Sequence, residues 1–209
     1  MERILEEGDP AIDVHVQRVI YGGQNMFKHS TYYFSQSFIE QNSLTQDAIT
    51  QRIATMKGFL KSDTAPNPEE WDQHWASLGK TDVSFASIHS HIKKAIKNHE
   101  SLLRDNPEIE WDYVVLQSWR DVSDQPNQAY DRYATKLAEI AKAQNAEVIL
   151  YMTSPETQNE DPVVEPYNVA SAERDTAVGR RMKEALQPKA VIPVPLAIKN
   201  IQTGDADKP

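Results

Sequence analysis

Trp111-Asp112-Tyr113-Val114-Val115-Leu116-Gln117-Ser118-Trp119-Arg120-Asp121 is reached through a polar approach, Pro107-Glu108-Ile109-Glu110, and turns polar again directly after Leu116. A short, unbroken β-branched and aromatic run with abrupt polar ends reads as a strand buried on both faces. Open α/β sheets bind ligands beyond the carboxyl ends of their strands, so Gln117 to Asp121 is the first place to look for chemistry.

Working outward, Ile12-Asp13-Val14-His15-Val16-Gln17 alternates apolar and polar, the pattern of an edge strand with one wet face, here taken as Ile12–Ile20. It runs into Tyr21-Gly22-Gly23-Gln24-Asn25, a glycine turn suited to positive φ or close approach to a ligand. Ser43-x-x-Gln46 has the form of a capping box before a helix carrying Leu44, Ile49, Ile53, Met56 and Leu60. Ser62 to Pro68 reads as a loop, and Trp71 and Trp75 as one face of a short helix that buries both. Thr81 opens a longer helix striped by Phe85, Ile88, Ile92, Ala95, His99 and Leu102, closed by Pro107.

Beyond the first strand, Tyr130, Tyr133, Ala134, Leu137, Ile140 and Ala141 form another helical stripe, with Asn145 placed to take the left-handed position past its end. Glu147–Met152 reads as a second buried strand, Pro155 to Pro166 as an acidic loop, and Ala170–Leu186 as a helix with acids early and bases late. Ala190-Val191-Ile192-Pro193-Val194-Pro195 is strand-like, its prolines confining it to a sheet edge. Strand, helix, strand, helix, strand implies a mostly parallel α/β sheet with crossover helices.

The chain has 209 residues, a net charge of −9 and a pI near 5.2. One domain is expected, and nucleic acid and anionic membranes, which demand basic patches, are not expected partners. Cysteine is absent, which leaves the redox compartment open. No apolar run approaches the roughly 18 residues of a membrane span. The start, Met1-Glu2-Arg3-Ile4-Leu5-Glu6-Glu7, lacks a signal pattern, so the chain as written is expected to be cytoplasmic. A true start further upstream would admit a secreted or periplasmic protein. Gly22-Gly23 is neither a dinucleotide fingerprint nor a Walker loop. His89-x-His91 places its imidazoles on different sides of a helix. The expectation is therefore no cofactor and no metal.

At Tyr21 to Asn25, Trp111 to Asp121 and Tyr130 to Thr153, the chain resembles the SGNH (GDSL-type) hydrolase superfamily. The resemblance covers about Ile12 to Ile198, with a helical insertion at about 44–104. It implies a flavodoxin-like, three-layer α/β/α fold and hydrolysis of a small-molecule or carbohydrate ester, an acetyl ester among the choices. Carried over residue by residue, the oxyanion-hole glycine falls on Gly23, with Gly22 the near alternative and Asn25 closing the same turn. The family's Gly-x-Asn-Asp falls on Ser118-Trp119-Arg120-Asp121, where serine replaces the glycine and arginine the asparagine. Some relatives place a glutamine directly after this strand, which makes Gln117 the alternative donor to Arg120. The turn holding the nucleophilic serine and the late Asp-x-x-His have no counterpart in these 209 residues.

In the family's 2-1-3-4-5 order the serine strand is central, between Ile12–Ile20 and Tyr113–Leu116. Without it, buried backbone groups lack partners at roughly 1–3 kcal/mol each, against a total stability of about 5–15 kcal/mol. The chain is accordingly expected to be a truncated or inactive form of a longer hydrolase, its first, central strand missing. A gap-free sheet with Val14–Val19 bonded beside Val114–Leu116, or a serine–histidine couple already assembled, would count against this. The other reading is a non-catalytic carbohydrate- or small-ligand-binding α/β domain. For single residues the plainer readings are a turn-stabilising hydroxyl for Ser118, an ion pair with Asp121 or Asp124 for Arg120, loop-pinning for Gln117, and a satisfied core histidine for His99. Trp71 and Trp75 read as a satellite of the core ahead of a sugar platform.

Overall fold

The computed structural model describes residues 14–19, 25–31, 34–62, 65, 68–77, 85–105, 109–118, 129–153, 169–202 and 204. In chain order these form α1 (Met26–Thr31), α2 (Phe34–Ile39), α3 (Gln46–Ser62), α4 (Pro68–Ser77), α5 (Phe85–Asp105), β1 (Tyr113–Gln117), α6 (Ala129–Ala143), β2 (Glu147–Met152), α7 (Val169–Leu186), β3 (Ala190–Pro193) and α8 (Val194–Gln202). The fold is mixed α/β, with a small, all-parallel sheet in the order β1-β2-β3 flanked by helices, compatible with a three-layer α/β/α architecture. No described helix is long and apolar enough to cross a membrane.

Register fixes the two faces of the sheet. Val114 pairs with Val148, and Leu116 with Leu150, which pairs in turn with Val191. This row, continued by Met152, is the covered face: Leu116, Val148, Leu150 and Met152 are all buried. Both crossover helices lie on it. The Tyr130 hydroxyl of α6 reaches the Met152 sulfur at 3.6 Å, and Gly179 of α7 sits directly over the same side chain. Two right-handed crossovers that step in the same direction across a sheet put their helices on one side. The alternate row faces outward: Tyr113 and Val115 are each 51% exposed and Ile192 is 40% exposed. β1 is therefore buried on one face only, contrary to the expectation of a doubly buried strand. Its brevity and apolarity gave no sign of which row would be covered.

The predicted edge strand is also not realised. Val14–Val19 keeps the alternating burial of a strand, with Val14 and Val16 half-buried and His15 and Gln17 exposed, yet it belongs to no sheet. Ile12, Asp13 and Ile20 lie outside the described residues. The segment lies next to the start of β1, where the His15 ring stacks on Trp111 with centroids 5.8 Å apart. A strand needs a partner to satisfy its backbone, and periodicity within the segment cannot supply one.

The helices of the expected insertion span 46–62, 68–77 and 85–105. Their boundaries move by a few residues for local reasons. Thr45, not Ser43, caps α3: its hydroxyl oxygen accepts the Ala48 N–H at 3.1 Å, while the Ser43 hydroxyl donates to the Glu40 carbonyl. α3 runs on through Ser62, and Pro68 is the first residue of α4, where its missing N–H has no consequence. Thr81 and Pro107 lie outside the described residues. Trp71 is buried, and Phe27 meets it edge-on at 4.8 Å and Tyr133 at 5.0 Å, joining α1, α4 and α6 in one aromatic cluster. The short helices α1 and α2 carry no stripe long enough to be read from sequence. Asn145 takes φ 63°, the left-handed conformation expected just past α6. β3 stops at Pro193 and α8 begins at Val194, so Val194-Pro195 opens a helix and does not extend the strand.

Candidate functional site

The carboxyl end of β1 is built by three segments distant in sequence. Gln117 ends the strand on its outward row and is exposed, whereas Ser118 alternates inward and is buried. The Ser118 hydroxyl oxygen accepts the Met26 N–H at 3.1 Å, and the Ser118 carbonyl accepts a hydrogen bond from the Thr153 hydroxyl just beyond β2. Asn25, buried beside Met26, turns its Oδ1 to the Lys28 N–H at 3.1 Å and so caps α1, whose first N–H groups have no partner within the helix. The structure thus brings Asn25 and Met26 to the end of β1. It places Asn25 in a capping role and Ser118 in the turn-stabilising role that was its plainer reading. Gly22, Gly23 and Arg120 lie outside the described residues.

Serine–histidine hydrogen bonds join two pairs of described residues, and the sequence flagged neither pair. In the first, Ser37 and His99 are fully buried, with Oγ to Nε2 at 2.7 Å. The Ala95 carbonyl, 2.8 Å from His99 Nδ1, can only accept, so Nδ1 carries the proton and Nε2 accepts from the serine. Arg52 donates to Ser37 at 2.7 Å and to Glu40 at 2.8 Å, completing a buried link between α2, α3 and α5. Burial first, then the Arg52 charge, holds the His99 imidazole below its ordinary range, with the Ala95 hydrogen bond acting in the opposite direction. No substrate reaches a sealed serine, so this pair, although it has the nucleophile–base distance, fills the core-histidine role expected of His99. The second pair joins His29 Nδ1 to Ser35 Oγ at 2.7 Å at the α1–α2 corner, with both residues half-buried and His29 held down at about 4 by burial. Neither pair stands at a strand's carboxyl end. The only sequence signal for the first was His99 on an apolar stripe; its partner is 62 residues away.

Among the described residues no group of three or more acidic or histidine side chains is placed to hold a metal ion. Trp71 is buried in the aromatic cluster, while the Trp75 side chain lies outside the described set. The chain matches no protein-family model, no curated protein and no solved structure.

Proposed function

We propose that this chain is the scaffold of an SGNH-type ester hydrolase acting on a small-molecule or carbohydrate ester, in a form that lacks its own attacking serine and base. The observation that carries this reading is the bond between Met26 N–H and Ser118 Oγ. It holds Met26, three residues after Gly23 in sequence, against the end of β1 across 92 residues, which supports an oxyanion hole built from Gly23 with Gln117 or Arg120. The parallel order β1-β2-β3 supports it as the run of third, fourth and fifth strands. The outer edge of β1, with Val14–Val19 beside its start but outside the ladder, supports it as the slot for a central strand. The second reading, a non-catalytic small-ligand domain, is favoured by Ser118 being engaged in structure and Ser37 being sealed.

The test is acetyl-ester hydrolysis, on p-nitrophenyl acetate and an acetylated oligosaccharide, by the 209-residue chain and by a form extended at both ends with its genomic sequence. Hydrolysis by the extended form alone is expected. Oligosaccharide binding by both forms with hydrolysis by neither selects the second reading. Hydrolysis by the 209-residue chain, with a fluorophosphonate probe attached to Ser35, would place the nucleophile at the Ser35–His29 pair and overturn the proposal.

A further inference from the structure

A pocket of about 180 Å³ opens between α7 and α8 at the carboxyl ends of β2 and β3. Its floor is mostly apolar, with Met152 and Pro195 buried and Val191 and Leu196 half-buried, and Thr176 and the exposed Pro193 also line it. Its rim carries Arg180 and Lys183, three residues apart on one face of α7. α7 approaches the sheet closely here because residue 179 is glycine: a Cβ would stand 3.3 Å from the Met152 Cγ.

The two rim cations differ from their neighbours. Arg174 pairs with Asp175, Arg181 with Asp131, Lys189 with Glu147 and Lys199 with Glu173. Arg180 and Lys183 are exposed and pair with no acid among the described residues, in a chain whose net charge is −9. The helix dipole accounts for bases late in α7. It does not account for their standing together over an apolar cavity.

We propose that this pocket binds a short-chain carboxylate, its tail on Met152, Val191 and Leu196 and its carboxylate between Arg180 and Lys183. The cavity is smaller than the usual drug-sized site and equals about six water volumes, which suits a tail of about four to six carbons. A bare anion leaves the floor unused, and an uncharged or cationic chain leaves the rim unused. The site is separate from the end of β1 and stands or falls independently of the hydrolase reading.

The experiment is a ¹H–¹⁵N titration of the 209-residue chain with hexanoate, hexylammonium and inorganic phosphate. Saturable hexanoate shifts around Gly179 and Leu196 are expected at millimolar concentration, with none from hexylammonium and weaker, non-saturating ones from phosphate. Arg180→Glu with Lys183→Glu, both on exposed positions, weakens hexanoate by about tenfold or more while the amide spectrum stays folded. Equal binding of hexanoate and hexylammonium, phosphate binding as tightly as hexanoate, unchanged hexanoate affinity in the double variant, or no saturable hexanoate shift would each overturn the site. Leu196→Glu is a second check: it lines the pocket from α8, and unchanged hexanoate binding in that variant also refutes it.

Discussion

The backbone N–H of Met26 is held by the hydroxyl of Ser118 at 3.1 Å, inside the protein, where the two residues are 92 positions apart in sequence. This bond satisfies a donor at the start of α1 that the helix itself cannot satisfy. Ser118→Ala leaves that buried donor unmet, at a cost of about 1–3 kcal/mol in urea unfolding. In the extended form proposed above to be hydrolytic, the same variant should keep ester hydrolysis once folded. Loss of hydrolysis in a folded Ser118→Ala protein would assign the nucleophile to Ser118.

Adjacent residues of β1 report the two faces of the sheet. Leu116 is buried on the covered row and Val115 is 51% exposed on the other. Leu116→Ala should cost about 2–5 kcal/mol, and Val115→Thr about 0.5 kcal/mol or less. Equal losses in denaturant titrations would mean that the outward row is covered too.

The cluster of Phe27, Trp71 and Tyr133 joins α1, α4 and α6. Phe27→Ala should cost about 3–5 kcal/mol. A double-mutant cycle with Trp71→Ala should show coupling of about 0.5–1.5 kcal/mol from their edge-on contact. Strict additivity would place the two rings apart in solution.

Acid should unfold the helical part through its histidines. Burial lowers the His29 pKa from 6.5 to about 4, and lowers those of His99 and His91 as well, with Lys28 and Lys94 adding to the effect at His91. Between about pH 6.5 and 4 the unfolded chain takes up a proton that folded His29 does not. Stability is therefore full above pH 6.5 and falls as pH drops towards 4, by on the order of 2–3 kcal/mol for His29. His29→Gln should flatten this fall, measured as unfolding midpoint against pH. A slope unchanged by the substitution would show that His29 is already solvated.

Local pattern carried much of the architecture. The stripe from Tyr130 to Ala141 marks α6, Glu147–Met152 is β2 to the residue, and Asn145 ends α6 with the expected positive φ. Each of these depends on periodicity or on the conformational preference of one residue, both of which are written along the chain. The candidate site was legible only as separate pieces: the glycine turn and the end of β1 could each be named, but not the Met26–Ser118 bond between them. α1 and α2 were missed because six residues are too few to show a stripe, and the Thr45 cap because Ser43 offered an equally good box.

The residues alone determined a parallel α/β chain and marked the end of one strand as the first place to look for chemistry. The tertiary structure decided that Val14–Val19 stays outside the sheet, that β1 turns Tyr113 and Val115 outward, and that His99 is completed by Ser37. The division has one physical cause. Helical and strand periodicity is a property of neighbours along the chain, whereas strand pairing, the choice of covered face and the partner of a buried polar group depend on which distant segment arrives beside it.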